Sequence, residues 1–284
     1  MARWERIRSR GNVEDRRGMS GGRVAGGIGG LGIIGILLAL LLGGGGGGLD
    51  QILGQLQAQA PQQQSVQAEE FEGEDDYEVF ASTVLGSNND TWEAVFRQNN
   101  LEYGDPRLVL FRGQTDSACG GANSAVGPHY CPLDETIYLD ETFFDELQRR
   151  FGAEGGDVAE AYVIAHEVAH HVQNELNIMD EVQNRQRSAS SQQEANQWSV
   201  GLELQADCFA GVWANSISDA GVFGPGEINE AIDAAEAVGD DRIQESIQGR
   251  VSPESWTHGS SAQRVEWFNR GFNTGDPSLC DTFG

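Results

Sequence analysis

Within the stretch AYVIAHEVAHHVQ lies His166-Glu167-Val168-Ala169-His170, the densest concentration of metal-binding chemistry in the sequence. Histidines at i and i+4 share one face of a helix, about one turn apart. Two imidazoles so placed can reach a single Zn²⁺ at about 2.0–2.1 Å. Glu167 is offset by about 100° around the helix, which suits it to take a proton from a metal-activated water rather than to ligate. The chain has five histidines, and three of them fall between positions 166 and 171. Tyr162, Val163, Ile164 and Val168 are core-like neighbours, which favours a buried helix over a surface helix with incidental histidines. His171 points to another face and reads as a packing or supporting residue.

Two histidines leave a catalytic zinc site one ligand short. The extended pattern with a third histidine needs Gly at 173 and His at 176, and the chain has Gln173 and Leu176; the reversed HxxEH motif is absent. A glutamate from a later helix remains. In GLELQADCFAGVWAN, Glu203 and Asp207 stand at i and i+4 in an otherwise apolar helix, where two carboxylates repel each other unless a cation is near. Glu203 is the candidate ligand, and Asp207 the candidate acceptor for the distal nitrogen of a ligating histidine. Glu175 is too close to the histidines on their own helix, and Glu194 sits in a polar Gln/Asn stretch. A third cluster, Thr257-His258-Gly259-Ser260-Ser261-Ala262-Gln263-Arg264, places a histidine just before a helix that Ser260 or Ser261 would cap. His258 there could hydrogen-bond an oxyanion, and Arg264 could brace Asp207 or orient substrate backbone; a capping loop with an incidental histidine is the competing reading.

The elements that must position these residues read as α+β, a few strands followed by many helices. Strands are expected at RLVLF (107–111) and ETIYLD (135–140), and helices over 77–100, 141–151, 156–176, 191–217, 226–237 and 260–271. The segment YCPLDETIYLD is expected to offer an edge strand to an extended peptide.

The N-terminal quarter differs in composition. Residues 1–23 carry seven arginines against three acidic side chains, a net charge of +4, so the rest of a chain of net charge −26 carries −30. A domain so acidic repels phosphate backbones, which argues against nucleic acid as a partner. Val24 to Leu42 contain no charged side chain, and 19 helical residues would span roughly 28 Å, close to a bilayer's hydrocarbon core. With the arginines on its N-terminal flank, this run is expected to be a single transmembrane helix with a cytoplasmic N-terminus and the remainder outside. Six consecutive glycines, a Gln/Ala/Pro stretch and an acidic run make residues 43–76 an expected flexible tether. The predicted organisation is thus a basic cytoplasmic arm (1–23), a transmembrane helix (24–42), the tether (43–76) and a zinc metallopeptidase domain (77–284). Cys119, Cys131, Cys208 and Cys280 allow three pairings in an exported domain. The short loop rich in Gly, Ser and Pro favours Cys119–Cys131, which leaves Cys208–Cys280; reduced buried thiols are the alternative for a cytosolic domain.

With these residues assembled, the chain resembles the bacterial family of neutral zinc metallopeptidases. The resemblance rests on SACGGANSAVGPHYCPLDETIYLD, AYVIAHEVAHHVQ, ELQADCFAGVWA and HGSSAQRVEWFNRGF, spanning roughly residues 77–284, with His129 standing where an aromatic is expected. The basic arm, apolar run and low-complexity tether also look like that family. More distantly, the Glu203/Asp207 helix and the His258 to Arg264 spacing look like the membrane-linked gluzincin peptidases, whose downstream histidine assists the transition state. The resemblance implies a zincin-like fold, one Zn²⁺ per chain and hydrolysis of a peptide or protein substrate. A catalytically silent, tethered zinc-binding scaffold is the alternative; it would lack the base or the third ligand, and candidates for both are present.

Overall fold

Period-two alternation in two apolar strands determines where the core lies. Leu108 and Leu110 of β2 (Arg107–Phe111) and Ile137 and Leu139 of β6 (Thr136–Asp140) face a large helical core. Val109, Phe111 and Tyr138, on the opposite face, form a smaller cluster with Ala122 and Cys131. In this computed structural model, which describes residues 1–18, 75–123 and 127–284, these strands belong to a four-stranded sheet of order β1-β2-β6-β5, with β1 at Asn12–Asp15 and β5 at His129–Cys131. The β1-β2 and β2-β6 pairs are parallel and the β5-β6 pair antiparallel. A two-stranded hairpin, β3 (Gln114–Ser117) with β4 (Gly120–Asn123), adjoins the smaller cluster, and the Cys119–Cys131 disulfide staples it to β5. Residues 136–140 therefore lie inside the sheet, paired on both sides, and the edge next to them is the short strand His129–Cys131.

The helices are α1 (Asp76–Gln98), α2 (Thr142–Phe151), α3 (Asp157–Glu175), α4 (Ile178–Ser188), α5 (Gln192–Ser218), α6 (Ile228–Ala237), α7 (Asp240–Gln248) and α8 (Ser261–Thr274). The architecture is a mixed, largely helical structure with two small sheets among the described residues. Nearly every residue from Val158 to Gln173 of α3 is buried, as its apolar composition all round requires. Helices α5 and α8 cross backbone to backbone. A Cβ on Gly211 would lie 2.1 Å from the carbonyl oxygen of Phe268, and one on Gly271 would lie 1.9 Å from that of Cys208, so only glycine fits at either point. The Cys208–Cys280 disulfide fastens the C-terminal segment to the same helix.

The sequence expectation of an N-terminal transmembrane helix and a single-pass topology is corrected here. Among the described residues no helix is long and apolar enough to cross a membrane, and residues 24–42 and 43–74 lie outside them. The flanks carry the physical reason. The arm expected on the far side of a membrane is instead built into the domain: β1 pairs in the sheet, and the Trp4 ring stacks 6.5 Å from that of Trp213. The Trp4 indole N–H donates to Asp157 (2.8 Å), and Arg10 donates to Thr83 (2.7 Å). Buried Arg17 pairs with Asp15, Asp75 and Glu141 at 2.7–2.9 Å. Arg17 and Asp75 bracket the undescribed stretch and touch each other. Asp75 itself caps α1 by accepting from the Glu78 N–H.

Candidate metal centre

Helix α3 delivers both histidines of the motif, and α5, packed across it, delivers the carboxylate. Ligand atoms of His166, His170 and Glu203 all lie within 4.8 Å of one another. His166 Nε2 is 3.1 Å from Glu203 Oε2, and His170 Nε2 is 3.6 Å from Glu203 Oε1. The two rings present the same nitrogen to one carboxylate because each Nδ1 is already engaged. His166 Nδ1–H donates to Asp207 Oδ1 (3.0 Å), and His170 Nδ1–H donates to Gln173 Oε1 (2.8 Å). Such partners fix the tautomer and orientation that a metal-binding imidazole needs.

A fully buried polar set stands behind His166. Asp207 receives Arg264 through two 2.8 Å bonds, Nε to Oδ2 and Nη2 to Oδ1, together with the Tyr162 hydroxyl at 2.5 Å. Arg264 also donates to the Val238 carbonyl (3.3 Å) and the Tyr162 oxygen (3.3 Å). Burial opposes charge on Asp207, but Arg264 and His166 outweigh it and hold the carboxyl below its ordinary range. Burial likewise opposes charge on His166, yet the bonds to Asp207 and Glu203 raise it to about 9. Burial favours a neutral Glu203, but His170, His258 and His166 together push it well below the usual carboxylate value. These neighbours therefore favour the ionised form of Glu203.

Glu167 lies on the same helix, 1% exposed, and its Oε1 has no hydrogen-bond partner among the described residues. An orphaned carboxylate oxygen is costly when buried, and such atoms call for an explanation. Beside two converging Nε2 atoms and a carboxylate, it fits a site built for a divalent cation and a reacting water. The donor set of two imidazoles and one carboxylate is one that zinc accepts while keeping a coordination position open. His258 is buried in the loop before α8, where Ser260 caps the helix in a capping box with Gln263.

The structure thus brings His166, Glu167, His170, Glu203, Asp207 and Arg264 together, with His258 close enough to affect the charge of Glu203. His171 lies elsewhere. Its Nε2–H donates to the Gly104 carbonyl (2.6 Å), and its Nδ1 meets the Tyr130 hydroxyl (2.9 Å). The His129 ring stacks on Tyr138 (5.3 Å). Sequence reasoning missed the supporting roles of Tyr162 and Gln173, although helical spacing carried the signal: Tyr162 is four residues before His166, and Gln173 three after His170. Gln173 is itself held by donating to the Leu202 carbonyl (2.8 Å) and to Gln205 Oε1 (3.1 Å).

A family model described as "Putative neutral zinc metallopeptidase" matches residues 2–283, so the match takes in the N-terminal segment as well as the helices of the site. The chain is similar to uncharacterized protein YpfJ of Escherichia coli (strain K12), 46% identical over 290 residues and covering 99% of each chain. It is also similar to uncharacterized protein Rv2575 of Mycobacterium tuberculosis (strain H37Rv), 45% identical over 210 residues, or 70% of this chain and 69% of the relative. No solved structure gives a significant match.

Proposed function

Because this chain belongs to that neutral zinc metallopeptidase family, we propose that it hydrolyses peptide bonds, with His166, His170 and Glu203 holding one zinc ion and Glu167 as the general base. The observation that carries the proposal is the convergence of the three donors within 4.8 Å beside the unpartnered, buried Glu167 Oε1. Zinc bound there would supply Lewis acidity, polarising a carbonyl and making water acidic enough to be deprotonated near neutral pH.

The remaining work falls to the chain's own side chains. Glu167 accepts a proton from the attacking water and returns it to the departing amine, which requires a carboxylate with a free oxygen. His258 donates a hydrogen bond to the carbonyl oxygen as negative charge develops on it. Asp207 and Gln173 keep His166 and His170 in the tautomer that leaves each Nε2 free. Arg264 neutralises Asp207, so that the supporting carboxylate can be buried without a proton. The substrate is an extended peptide or protein segment.

The test is a peptidase assay of the purified full chain on a mixed protein substrate such as casein, wild type against Glu167→Gln. The substitution removes the base and keeps the shape, so the variant is expected to retain its zinc and lose activity by at least about 100-fold. Undiminished cleavage by Glu167→Gln would show that another group is the base.

A further inference from the structure

The loop that carries His258 is held by a carboxylate that takes no part in the metal centre. Asp240, the first residue of α7, is fully buried. Its Oδ2 accepts three successive backbone N–H groups, those of Thr257 (2.8 Å), His258 (2.7 Å) and Gly259 (3.0 Å). The loop answers in kind, since the Gly259 carbonyl accepts the Asp240 N–H at 2.8 Å. Three consecutive donors can converge on one oxygen because the chain turns at Gly259, with φ +88°. A side chain there would also press on Val200 and Leu204 of α5, three residues before and one after Glu203 in the helix. The neighbouring Asp241 acts on the next part of the same strap, accepting from the Ser261 N–H (2.7 Å) and hydroxyl (2.8 Å). The Val238–Asp241 corner therefore braces the whole wall of the site that His258 and Arg264 occupy.

The other oxygen of Asp240 shows that the arrangement does more than secure a loop. Oδ1 is buried and has no hydrogen-bond partner among the described residues; it faces the Nδ1 of His258 at 3.4 Å. The Thr257 hydroxyl stands 3.0 Å from the same Nδ1. A buried carboxylate oxygen with nothing else to accept, one small ring rotation away from an imidazole N–H, is a poised acceptor.

We propose that Asp240 is the positioning residue for His258: Oδ2 fixes the backbone of the loop, and Oδ1 receives Nδ1–H, so that the ring offers Nε2–H toward the substrate oxygen. This rests on the reading of His258 given above. When negative charge develops on that oxygen, the imidazole becomes the middle of a carboxylate–imidazole–oxyanion series, and the Nδ1–H···Oδ1 contact shortens as its charge rises.

The inference is tested by kinetics on the zinc-loaded full chain, with wild type, His258→Ala, Asp240→Asn and the double variant. Asparagine keeps an acceptor for the loop but turns an amide toward Nδ1. A residue acting through His258 lowers kcat by about 10–100-fold with KM within about twofold, as for other supporting groups. In the double variant it costs no more than His258→Ala alone. Multiplicative losses, or Asp240→Asn at wild-type kcat while His258→Ala is slow, overturn the positioning role. Wild-type rates in His258→Ala overturn it together with the reading of His258 on which it rests. A measurement on the unmutated protein covers the case in which Asp240→Asn does not fold. Long-range ¹⁵N–¹H correlations of the histidine rings report which nitrogen of His258 is protonated: a proton on Nδ1 is expected, and a bare Nδ1 refutes the proposal.

Discussion

The Arg264–Asp207 pair is the point at which the stability of the domain and the order of the candidate metal site meet, and replacing the arginine separates them. The two side chains are 1% and 0% exposed and joined by two 2.8 Å charge-assisted bonds. Arg264→Met keeps most of the volume and leaves Asp207 ionised, buried and supported only by Tyr162 and His166. Breaking a buried pair from one side costs about 3–5 kcal/mol, because a charge is stranded in a medium that cannot solvate it. For a domain of this size that corresponds to roughly 6–20 °C in Tm. The assay is urea denaturation of the disulfide-intact chain in EDTA, so that metal binding does not contribute to the measured stability. Adding Asp207→Leu removes the stranded charge, and the double variant should lose less stability than Arg264→Met alone. Its zinc affinity should nonetheless fall by about 10–100-fold, because His166 Nδ1 no longer has an acceptor. A loss below about 1 kcal/mol for Arg264→Met, or a double variant whose loss is the sum of the singles, would refute the reasoning.

Three further outcomes follow from the packing and charge of the fold. Gly211→Ala places a methyl 2.1 Å from the Phe268 carbonyl, so α5 and α8 must separate; a loss of at least about 2 kcal/mol in a denaturant titration is expected, and a neutral variant would show that the crossing is looser. Trp4→Ala removes a ring packed between Phe80, Trp213 and Phe223 along with a bond to Asp157, and should cost about 2–4 kcal/mol; no change in the unfolding midpoint would mean that the N-terminal segment is not docked. Burial, reinforced by Asp157, Glu141 and Asp145, raises Glu160 from 4.5 to about 7. The folded state therefore holds the extra proton between those values, and stability is lost as pH rises through that window. Glu160→Gln should match wild type near pH 4 and exceed it by about 3 kcal/mol near pH 8, and equal stabilities at pH 8 would contradict the burial argument.

The site was legible where chemistry and helical periodicity coincide. HExxH fixes its own geometry through the 3.6-residue turn, and Glu203 with Asp207 one turn apart in an apolar helix could be singled out because two buried carboxylates need a positive partner. Six helices and the two apolar strands were visible for the same reason. What escaped depended on partners far away in sequence. Asn12–Asp15 is polar and short and becomes a strand only because the exposed edge of β2 is there to receive it. His129–Cys131 is too short to show alternation. Asp240 sits among other acidic residues, and only folding brings it to residues 257–259. The N-terminal segment was misread because an arginine-rich flank before an apolar run is the usual mark of membrane topology. Here Arg17 and Arg10 instead serve the domain, answering Asp15, Asp75, Glu141 and Thr83.

The most direct test of the account is the zinc content of the purified full chain, measured by elemental analysis after dialysis against chelator-treated buffer. One zinc per chain is expected for wild type and for Glu167→Gln, falling to near zero for Glu203→Ala and for His166→Ala. Full zinc occupancy in Glu203→Ala and His166→Ala, or no zinc in the wild-type chain, would contradict a centre formed by His166, His170 and Glu203.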